Sequence, residues 1–517
     1  MKLCQFTAEH FHQLQGRPIW LVDCEESYQR ELLSAYDIAP FLVGRLDYEI
    51  PMPEDASDGF RGYPGIEKLP SDAVLLIAND YFHESFLHLC SQLNNEKRFE
   101  SVYFFPNQET TYDLFYRKKY HDMPLVNRIL FRSGPHANAF VTGMDFGDNA
   151  RALFEYMLRE GFNEKYELVW LVKNPCAYEK WQQNYKNVRF LPFDGSVTDD
   201  LKVRNAYYEA LCLSKYIFFT DAYGFARNAR SDQVRVQLWH GCGIKTRTRF
   251  TRCEKRYEYM IVTSPLYAEL HKSSFGLRDD QVLVTGLPKE DWLFHPACHW
   301  QERLRIPLSS KYIFWLPTFR TTSVEGLKVL DVFEDTAGTG LPVVCSKQQL
   351  QELDSLLQEL EIVLILKLHP FQRRDMISFE ELANIKILEN ELLLQEDLQL
   401  NELLGYADAL ISDYSSVAID YTLLDRPMAF TLDDYEDYRD KRSLHWPNVR
   451  DYLPGEEIFN FNDFLQFVKD VAEGIDRSQE KRRKLRRQFH VYFDDGSAAR
   501  VLKAVGLIKG ILERYII

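Results

Sequence analysis

The sequence predicts an α/β protein in which two Rossmann-like lobes face a cleft and a small α/β domain precedes them. Three observations support this fold class. The chain has 517 residues, more than one hydrophobic core usually supports. Short apolar runs of strand length alternate with helix-like stretches, which is typical of parallel sheets. Each apolar run ends at a polar turn, so polar side chains should gather at one edge of each sheet.

Composition narrows the class of protein. With 45% hydrophobic and 27% charged residues and no short-period repeat, the chain is typical of a globular protein. A formal net charge of -15 argues against nucleic acid as a partner, because phosphate contacts need a concentrated positive surface. The nine cysteines form no CxxC pair, so we expect reduced thiols and no structural zinc. No segment approaches the roughly 20 apolar residues of a membrane span, and we expect a cytoplasmic protein.

Residues 1–135 are expected to form the small N-terminal α/β domain, with strand-like runs at 19–22, 73–78 and 102–105. The first run leads into Asp23, where a dinucleotide-binding domain would place its glycine-rich turn. Without those glycines we expect no cofactor. A scaffolding or acceptor-handling role is favoured over a nucleotide site, because close approach to a pyrophosphate demands glycine.

Residues 136–305 are expected to form the first lobe. Asp148 and Asn149 are placed to cap a helix, and strand-like runs follow at 168–172, 216–220 and 234–239. Ligands of open parallel sheets lie beyond the carboxyl ends of the strands. His240 and Gly241 follow the last of these runs and are therefore placed for chemistry.

Residues 306–517 are expected to form the second lobe and the C-terminal helices. Its strand-like runs at 312–316, 363–368 and 409–411 also lead into polar turns. Two such halves, joined around residues 300–310 and facing each other across a cleft, describe a GT-B-like architecture. Closure of the cleft would assemble the site, and the last helices could cross back to the first lobe.

His240 is the candidate general base, because a strand-end histidine followed by glycine can project into a cleft. For one histidine in isolation, a structural role beside a carbonyl is the commoner interpretation. A second strand-end histidine, His369, with Lys367 nearby, favours a catalytic role for His240 over a structural one. If both histidines line one cleft, one could deprotonate an acceptor hydroxyl and the other could balance charge on a pyrophosphate. The alternative for His369 is a helix or loop contact.

The segment 412–421 runs from a buried strand through small hydroxyl residues into an apolar helix. Free backbone N–H groups and the hydroxyls of Ser415 and Ser416 gather there, and such a helix end can bind phosphate. Simple N-capping would need only one of these residues. Asp420 lies one turn deeper, where it could accept hydrogen bonds from a ribose or an alcohol.

Five segments in this order resemble the CDP-glycerol glycerophosphotransferases, the polymerases and primases of teichoic acid and capsule. They are Trp239-His240-Gly241 and residues 286–291, 316–320, 366–370 and 411–420. The resemblance covers about residues 137–505, and the ordered set is specific although each piece alone is weak. Phe146-Gly147-Asp148-Asn149 resembles the entry segment of the same family.

The resemblance implies a GT-B fold and transfer of glycerol phosphate from CDP-glycerol to a hydroxyl of a growing teichoic-acid-like or capsular polymer, with loss of CMP. It implies that His240 and Gly241 face the reacting phosphate and that His369 helps to hold the pyrophosphate, so the two histidines are the catalytic candidates. The donor phosphates and polyol would be bound by Gly241, Lys289, Pro317, Thr318, Lys367, Ser415, Ser416, Asp420 and Arg500. No Asp-x-Asp motif stands at a comparable strand end, so we expect no metal and no cofactor.

Two departures from the family pattern leave the transferred polyol open. Cys242-Gly243-Ile244-Lys245 stands where the family usually has Thr-Pro-Leu-Lys. Lys289 replaces a usual arginine, which exchanges a bidentate fork for a point charge. Ribitol or another polyol is therefore an alternative to glycerol, and the stretch 321–350 is a candidate for reshaping the acceptor side.

Basic runs at 245–249 and 481–487 stand out in this acidic chain. A solvated helix face and a patch that meets an anionic polymer or membrane surface are equally good interpretations. The latter would place the protein peripherally on the inner face of the cell membrane, where a phosphopolymer or lipid-linked acceptor would be found. Rival functions are a GT-B glycosyltransferase that uses a nucleotide sugar and a non-catalytic assembly subunit.

Overall fold

The structure is a computed structural model that describes most of the chain. It leaves out residues 1, 15, 25–28, 30–31, 34, 37, 48–62, 64, 71, 80–81, 94–100, 106–107, 134–144, 197, 221–229, 246–256, 319–338, 369–381, 442–443, 447 and 509–517. The chain divides into two compact units. The first is drawn from Met1–Pro124, Phe193–Leu213 and Arg227–Arg230, and the second from Leu125–Pro192, Ser214–Ala226 and Ser231–Ile517.

The first unit contains a parallel sheet of five strands. They are β1 (Lys2–Gln5), β2 (Ile19–Val22), β3 (Leu42–Leu46), β4 (Val74–Ile77) and β5 (Ser101–Phe104). Their order in the sheet is β1-β5-β4-β2-β3, and all neighbours are parallel. The second unit holds two larger parallel sheets, whose strands lie within residues 126–284 and 311–458. We call the parts built on these sheets the N-terminal lobe and the C-terminal lobe.

The N-terminal lobe has a sheet of seven strands in the order β12-β11-β10-β9-β6-β7-β8. The strands are β6 (Val126–Arg132), β7 (Glu167–Val172), β8 (Val188–Pro192), β9 (Ser214–Phe219), β10 (Val234–Gln237), β11 (Tyr259–Val262) and β12 (Val282–Val284). All neighbours pair in parallel. Parallel pairing places the carboxyl ends of β9 and β10 at the same edge of the sheet.

The C-terminal lobe has a sheet of six strands in the order β15-β14-β13-β16-β17-β18. The strands are β13 (Lys311–Trp315), β14 (Ile362–Leu366), β15 (Ile385–Ile387), β16 (Ala409–Ser412), β17 (Met428–Thr431) and β18 (Glu456–Ile458). Every neighbouring pair is parallel. The neighbouring strands β14, β13 and β16 end at 366, 315 and 412, and each of them is followed by a polar turn.

The helices of the described residues alternate with these strands. In chain order they are α1 (Ala8–Leu14), α2 (Phe82–Leu93), α3 (Gln108–Tyr120), α4 (Asp148–Arg159), α5 (Glu179–Asn184), α6 (Leu201–Leu213), α7 (Pro265–Phe275), α8 (Trp300–Arg303), α9 (Lys347–Glu359), α10 (Asn390–Gln395), α11 (Leu400–Leu404), α12 (Val417–Tyr421), α13 (Tyr435–Lys441), α14 (Phe461–Glu473), α15 (Gln479–Phe489) and α16 (Ser497–Ala504). None of them is long and apolar enough to cross a membrane.

Apolar strands covered by helices form the core of each lobe. In the N-terminal lobe, Phe131 stacks on Trp170 with ring centroids 5.4 Å apart, and both side chains are fully buried. Burial of one such aromatic side chain stabilises the fold by roughly 1.5–3 kcal/mol. Helix α16, the last one among the described residues, adds Val501 and Leu502 to the same core, so this helix packs on the N-terminal lobe as the sequence suggested.

The strand ends of the first unit are tied together by a buried polar network. The Asp23 carboxylate accepts hydrogen bonds from Tyr63 Oη and Ser85 Oγ, each at 2.7 Å. The Asn79 amide donates to the Asp23 carbonyl at 2.7 Å. These bonds join the ends of β2 and β4 to helix α2, and they give Asp23 a structural role.

Together, these sheets confirm the predicted fold class of GT-B-like lobes with a small α/β part before them. The division into 1–135, 136–305 and 306–517 stays a prediction.

Candidate active site

The turn that carries His240 has an unusual backbone conformation. Trp239 has φ +53° and Gly241 has φ +155°, which L side chains rarely adopt. The fully buried amide of Asn149 donates to the carbonyl oxygens of Leu238 at 3.1 Å and Trp239 at 2.8 Å. Asn149 belongs to α4 and therefore fixes, from a neighbouring element, the direction in which His240 leaves the strand.

His240 is partly exposed and faces a carboxylate. Its Nδ1 lies 3.3 Å from Asp148 Oδ2, and 31% of its side chain is exposed. Asp148 begins α4 with φ +57°, and its Oδ1 accepts a hydrogen bond from the N–H of Asn149 at 2.8 Å. Burial raises the pKa of Asp148, but the Lys289 ammonium and the hydrogen bond with His240 outweigh burial and hold the pKa below its ordinary value. Asp148 is therefore anionic.

Lys289 connects this turn to the C-terminal lobe. It follows β12 in a 3-10 turn, Pro288–Phe294, and its backbone N–H donates to Asn149 Oδ1 at 3.1 Å. Its ammonium donates to the carbonyl of His240 and lies 3.0 Å from Asp420 Oδ2 and 3.9 Å from Asp148 Oδ1. Burial lowers the pKa of Lys289, but the two carboxylates outweigh it and raise the pKa overall.

Two glycines allow the turn to approach Ser416 closely. A Cβ atom on Gly241 would lie 2.9 Å from Ser416 Oγ, and one on Gly243 would lie 3.1 Å from Ser416 Cβ. Both contacts are tighter than a side chain normally tolerates. The glycine backbone of the N-terminal lobe therefore packs directly against the hydroxyl segment that follows β16 in the C-terminal lobe.

A buried acid and histidine lie behind Lys289. Glu290 Oε2 accepts a hydrogen bond from the N–H of Leu287 at 2.9 Å, and Glu290 Oε1 faces His490 Nδ1 at 3.6 Å. Burial and the charge of Asp420 raise the pKa of Glu290 well above its ordinary value. Burial also lowers the pKa of His490 to about 4. Both shifts favour the uncharged forms of Glu290 and His490, while Lys289 pairs with Asp420 at 3.0 Å.

Thr318 and Pro317 follow β13 at the edge of the C-terminal sheet. The fully buried carboxylate of Asp413, which follows β16, accepts hydrogen bonds from the Thr318 N–H at 2.7 Å and the Thr318 Oγ1 at 3.0 Å. Asp413 also accepts a bond from the N–H of Tyr414 at 2.5 Å. Asp413 therefore ties Thr318 to the end of β16, and buried Pro317 supplies a rigid turn without an N–H donor.

Lys367 follows the neighbouring strand β14. Its backbone N–H donates to the Trp315 carbonyl at 3.0 Å, and its ammonium bonds to Asn390 Oδ1 at the start of α10. The neighbouring order β14-β13-β16 places the turns of Lys367, Thr318 and Ser415 side by side along one sheet edge. This edge provides an ammonium, hydroxyls and backbone N–H groups, which are the groups that bind phosphate oxygens.

Arg500 contacts a different set of residues. Its guanidinium donates to the Thr285 carbonyl at 2.8 Å, Asp494 Oδ1 at 2.7 Å and Ser497 Oγ at 3.2 Å. It also lies over the ring of Tyr492, 3.8 Å from the centroid. In this structure Arg500 joins α16 to the end of β12, and its assignment to a donor phosphate stays a prediction.

The basic run at 481–487 mostly makes contacts within the protein. Arg482 is fully buried and pairs with Asp425 and Asp476, and Arg483 also pairs with Asp425. Lys484 and Arg487 are exposed on the same helix, α15. Two arginines of the run, Arg482 and Arg483, therefore form ion pairs within the fold, and only part of the run faces solvent.

The predicted residues fall into three groups. In direct contact at the junction of the lobes are His240, Gly241, Lys289, Ser416 and Asp420. At neighbouring strand ends of the C-terminal sheet are Pro317, Thr318, Lys367 and Ser415. Arg500 makes the separate contacts given above. His369 lies outside the described residues, as do 246–249 of the first basic run and 321–338 of the proposed acceptor-side stretch.

Several residues that shape the site were not identified as such from the sequence. Asp148 and Asn149 were expected as helix caps and as part of a family segment without a stated chemical role, while Asp413, Glu290 and His490 had no assigned role. A charged residue directly after a buried strand, as at Asp413, is the one local signal that could have indicated such a role. The others depend on contacts between residues that lie far apart in the chain.

The fold and the site define a two-lobed α/β transferase whose lobes meet at a strand-end histidine. Residues 114–507 match the family described as CDP-Glycerol:Poly(glycerophosphate) glycerophosphotransferase, and the chain belongs to this family. The resemblance inferred from the motifs is thereby confirmed. The family is one of polyol-phosphate transferases of teichoic acid synthesis.

Relatives in this family differ in the polyol that their names give. The chain is 26% identical over 297 residues to a teichoic acid ribitol-phosphate primase of Bacillus spizizenii, covering 52% of this chain and 68% of that protein. It is 22% identical over 399 residues to a teichoic acid glycerol-phosphate transferase of Staphylococcus aureus, covering 70% of this chain and 90% of that protein. Against the teichoic acid poly(ribitol-phosphate) polymerase of Bacillus spizizenii, the identity is 28% over 349 residues, 59% of this chain. The chain spans about half, 52%, of that polymerase.

A solved structure shares the fold. A variant of the wall teichoic acid polymerase TagF superposes with a TM-score of 0.58 at 18% identity, covering 83% of this chain and 99% of that one. At this identity the likeness establishes the architecture of the lobes, and the chemistry has to be argued from the residues of this chain.

Proposed function

We propose that this protein transfers glycerol phosphate, or a related polyol phosphate such as ribitol phosphate, from a CDP-linked donor to a hydroxyl of a teichoic-acid-like or capsular polymer and releases CMP. The observation that carries the proposal is the position of His240. It is partly exposed at the junction of the lobes, with Lys289 and Ser416 beside its turn. Membership of the glycerophosphotransferase family supports the same reaction class.

The proposed chemistry is an in-line displacement at phosphorus. His240 removes the proton of the acceptor hydroxyl as its oxygen attacks the polyol-linked phosphorus, and the bond from that phosphorus to CMP breaks. Lys367, Ser415 and the backbone around Ser416 would stabilise the charge that develops on the pyrophosphate, and Thr318 would join them once its hydroxyl turns from Asp413 to the donor. His369 and Arg500 are proposed to join them when donor is bound.

The identity of the donor rests on the relatives. Their names include both glycerol-phosphate and ribitol-phosphate enzymes, and a TagF variant was soaked with CDPG. We propose CDP-glycerol as the first donor to test and CDP-ribitol as the second. The acceptor is proposed to be a phosphopolymer or a lipid-linked molecule, which would place the enzyme at the inner face of the cell membrane.

The test incubates the purified full chain with CDP-glycerol or CDP-ribitol and a lipid-linked or phosphopolymer acceptor. We expect release of CMP and an acceptor whose mass has grown by one or more polyol phosphates. His240→Ala should lower kcat by about 10²- to 10⁴-fold, the usual contribution of a general base. His121→Ala, which removes an exposed histidine of the first unit, is the matched control.

Wild-type kcat in His240→Ala would overturn the assignment of the base. Consumption of a nucleotide sugar, with neither CDP-polyol used, would replace the proposed reaction by glycosyl transfer.

A further inference from the structure

We propose that Asp148 is a positioning residue that holds His240 with Nδ1–H toward the carboxylate and Nε2 toward the acceptor hydroxyl. The inference rests on the proposed role of His240 as the base, and it adds the residue that decides which ring nitrogen performs that role.

The contact that carries this inference joins two elements of the N-terminal lobe. Asp148 Oδ2 lies 3.3 Å from His240 Nδ1, although the residues are 92 positions apart in the chain. A carboxylate only accepts hydrogen bonds, so the facing nitrogen has to carry the proton. In the neutral ring the lone pair is then on Nε2, and in the proposed step this nitrogen takes the proton of the acceptor hydroxyl.

The carboxylate itself is held from two further sides. Asp148 Oδ1 accepts a hydrogen bond from the N–H of Asn149 at 2.8 Å, and it lies 3.9 Å from Lys289 Nζ. Asn149 also holds the carbonyls of Leu238 and Trp239. One residue, Asn149, therefore fixes both the carboxylate and the turn that carries the imidazole, so their relative position is set by the fold.

The charge on Asp148 fits this role. The ammonium of Lys289 and the hydrogen bond with His240 outweigh the effect of burial and keep the pKa of Asp148 below its ordinary value. The carboxylate therefore stays ionised when His240 becomes an imidazolium, and it stabilises the positive ring. In the proposed step, the hydroxyl proton moves to Nε2, the oxygen–phosphorus bond forms and the phosphorus–CMP oxygen bond breaks, while Asp148 takes up no proton.

The competing explanation is a purely structural carboxylate that holds Lys289. Asp148 is 3.9 Å from that ammonium, whereas Asp420 lies at 3.0 Å and is the nearer partner. A structural role would alter stability, but it would leave the pH dependence of the chemical step unchanged. The two roles therefore differ in what a neutral substitution does to the pH profile.

The kinetic test compares Asp148→Asn and Asp148→Glu with the wild type. We expect Asp148→Asn to lower kcat by about 10²- to 10⁴-fold. KM for the donor should stay within about threefold, because ground-state donor binding is unaffected. The acid limb of kcat against pH should move to lower pH, because an imidazolium loses its neighbouring negative charge. Asp148→Glu, which restores a carboxylate, should recover part of kcat and the position of the acid limb.

Asp279→Asn is the matched control, because Asp279 is an exposed carboxylate that pairs with Lys272 at 2.6 Å. It should leave kcat and the pH profile unchanged. A kcat for Asp148→Asn within about threefold of the wild type would overturn the proposal. So would a reduced kcat with an unmoved acid limb, since that result identifies a structural carboxylate.

A second readout needs no substrate. In the wild-type chain with ¹⁵N-labelled histidine, the His240 signal, assigned by its loss in His240→Gln, should report the Nδ1–H tautomer. In Asp148→Asn the population should shift toward Nε2–H. A wild-type ring protonated on Nε2 would overturn the inference. If no CDP-polyol is consumed, the proposed function fails, and this tautomer measurement still decides the role of Asp148.

Discussion

At the residue scale, Glu290 and His490 show how the protein tolerates titratable groups in its interior. Glu290 is 2% exposed and His490 is likewise buried, and their facing atoms lie 3.6 Å apart. An ionised pair here would stand beside Lys289 and Asp420 without enough hydrogen bonds to replace water. Burial raises the pKa of Glu290 and lowers the pKa of His490, so both shifts favour the uncharged forms of the two groups.

Glu290→Gln should therefore be tolerated, and the variant should become more stable relative to the wild type as the pH rises. Because the folded-state pKa of Glu290 is raised, its contribution to stability is complete below the unfolded value and is lost as pH rises toward the folded value. Glutamine does not titrate, and the contribution of His490 is common to both proteins. Urea unfolding should show a free-energy difference in favour of Glu290→Gln that increases by about 1–3 kcal/mol between about pH 5 and pH 8.

Glu269→Gln is the control for this comparison, since Glu269 is an exposed acid that pairs with Lys272. Its stability relative to the wild type should not change in this way over the same range. A pH-independent difference for Glu290→Gln would mean that Glu290 is ionised in the folded protein.

Residue types and strand ends made much of this site predictable, but side-chain partners did not follow from them. His240, Lys289 and Ser416 were singled out because each follows a strand or lies in a family motif, and the structure brings them together. Thr318 was expected to be available to phosphate, yet it donates to Asp413, which is 95 positions away. Such pairs depend on which strands become neighbours, and no local pattern encodes that.

At the scale of elements, long apolar runs predicted strands well, but strand β6, most of whose apolar residues lie between charged ones, was missed. The runs that became β7, β13 and β14 are continuous and fully buried over most of their length. Strand β6 has three apolar residues between Arg128 and Arg132, and it was not singled out. It nevertheless occupies an inner position of the seven-stranded sheet, where Glu167 neutralises Arg128 at 2.6 Å. Strand β6 therefore forms because it pairs with its neighbours in the sheet, and its local sequence pattern does not predict it.

The start of helix α16 depends on a distant carboxylate. Asp291 Oδ1 and Oδ2 accept hydrogen bonds from the N–H groups of Ser497 and Ala498, each at 2.9 Å. These are the first two residues of the helix that returns to the N-terminal lobe, and their N–H groups have no partner within the helix itself.

Asp291→Ala should cost about 0.5–2 kcal/mol of unfolding free energy, as loss of a helix cap usually does. Hydrogen exchange should show faster exchange at the amides of Ser497 and Ala498. Asp280→Ala removes an exposed carboxylate paired with Arg278 and should change neither quantity. Unchanged protection of the two amides in Asp291→Ala would show that another group caps the helix.

At the scale of the whole molecule, a buried ion pair beside the site joins the two lobes of the second unit. Lys289 belongs to the turn after the last strand of the N-terminal lobe, and Asp420 belongs to α12 of the C-terminal lobe. Their side chains are 11% and 0% exposed and lie 3.0 Å apart. The order of the strands in each sheet followed from no sequence pattern, and so neither did this link, since it requires both lobes to be complete.

Removal of one charge of this pair should cost more than removal of both. Lys289→Met leaves Asp420 buried without its cation and should lower the unfolding free energy by about 3–5 kcal/mol. Adding Asp420→Asn removes the unpaired buried charge. In urea unfolding, the double variant should therefore recover about 0.5–3 kcal/mol relative to the sum of the single variants.

Transfer activity should stay low in the double variant, because Lys289 also donates to the carbonyl of His240 and fixes that turn. Strictly additive effects would show that the charges are not coupled across the lobes. Recovered activity would show that Lys289 serves stability alone.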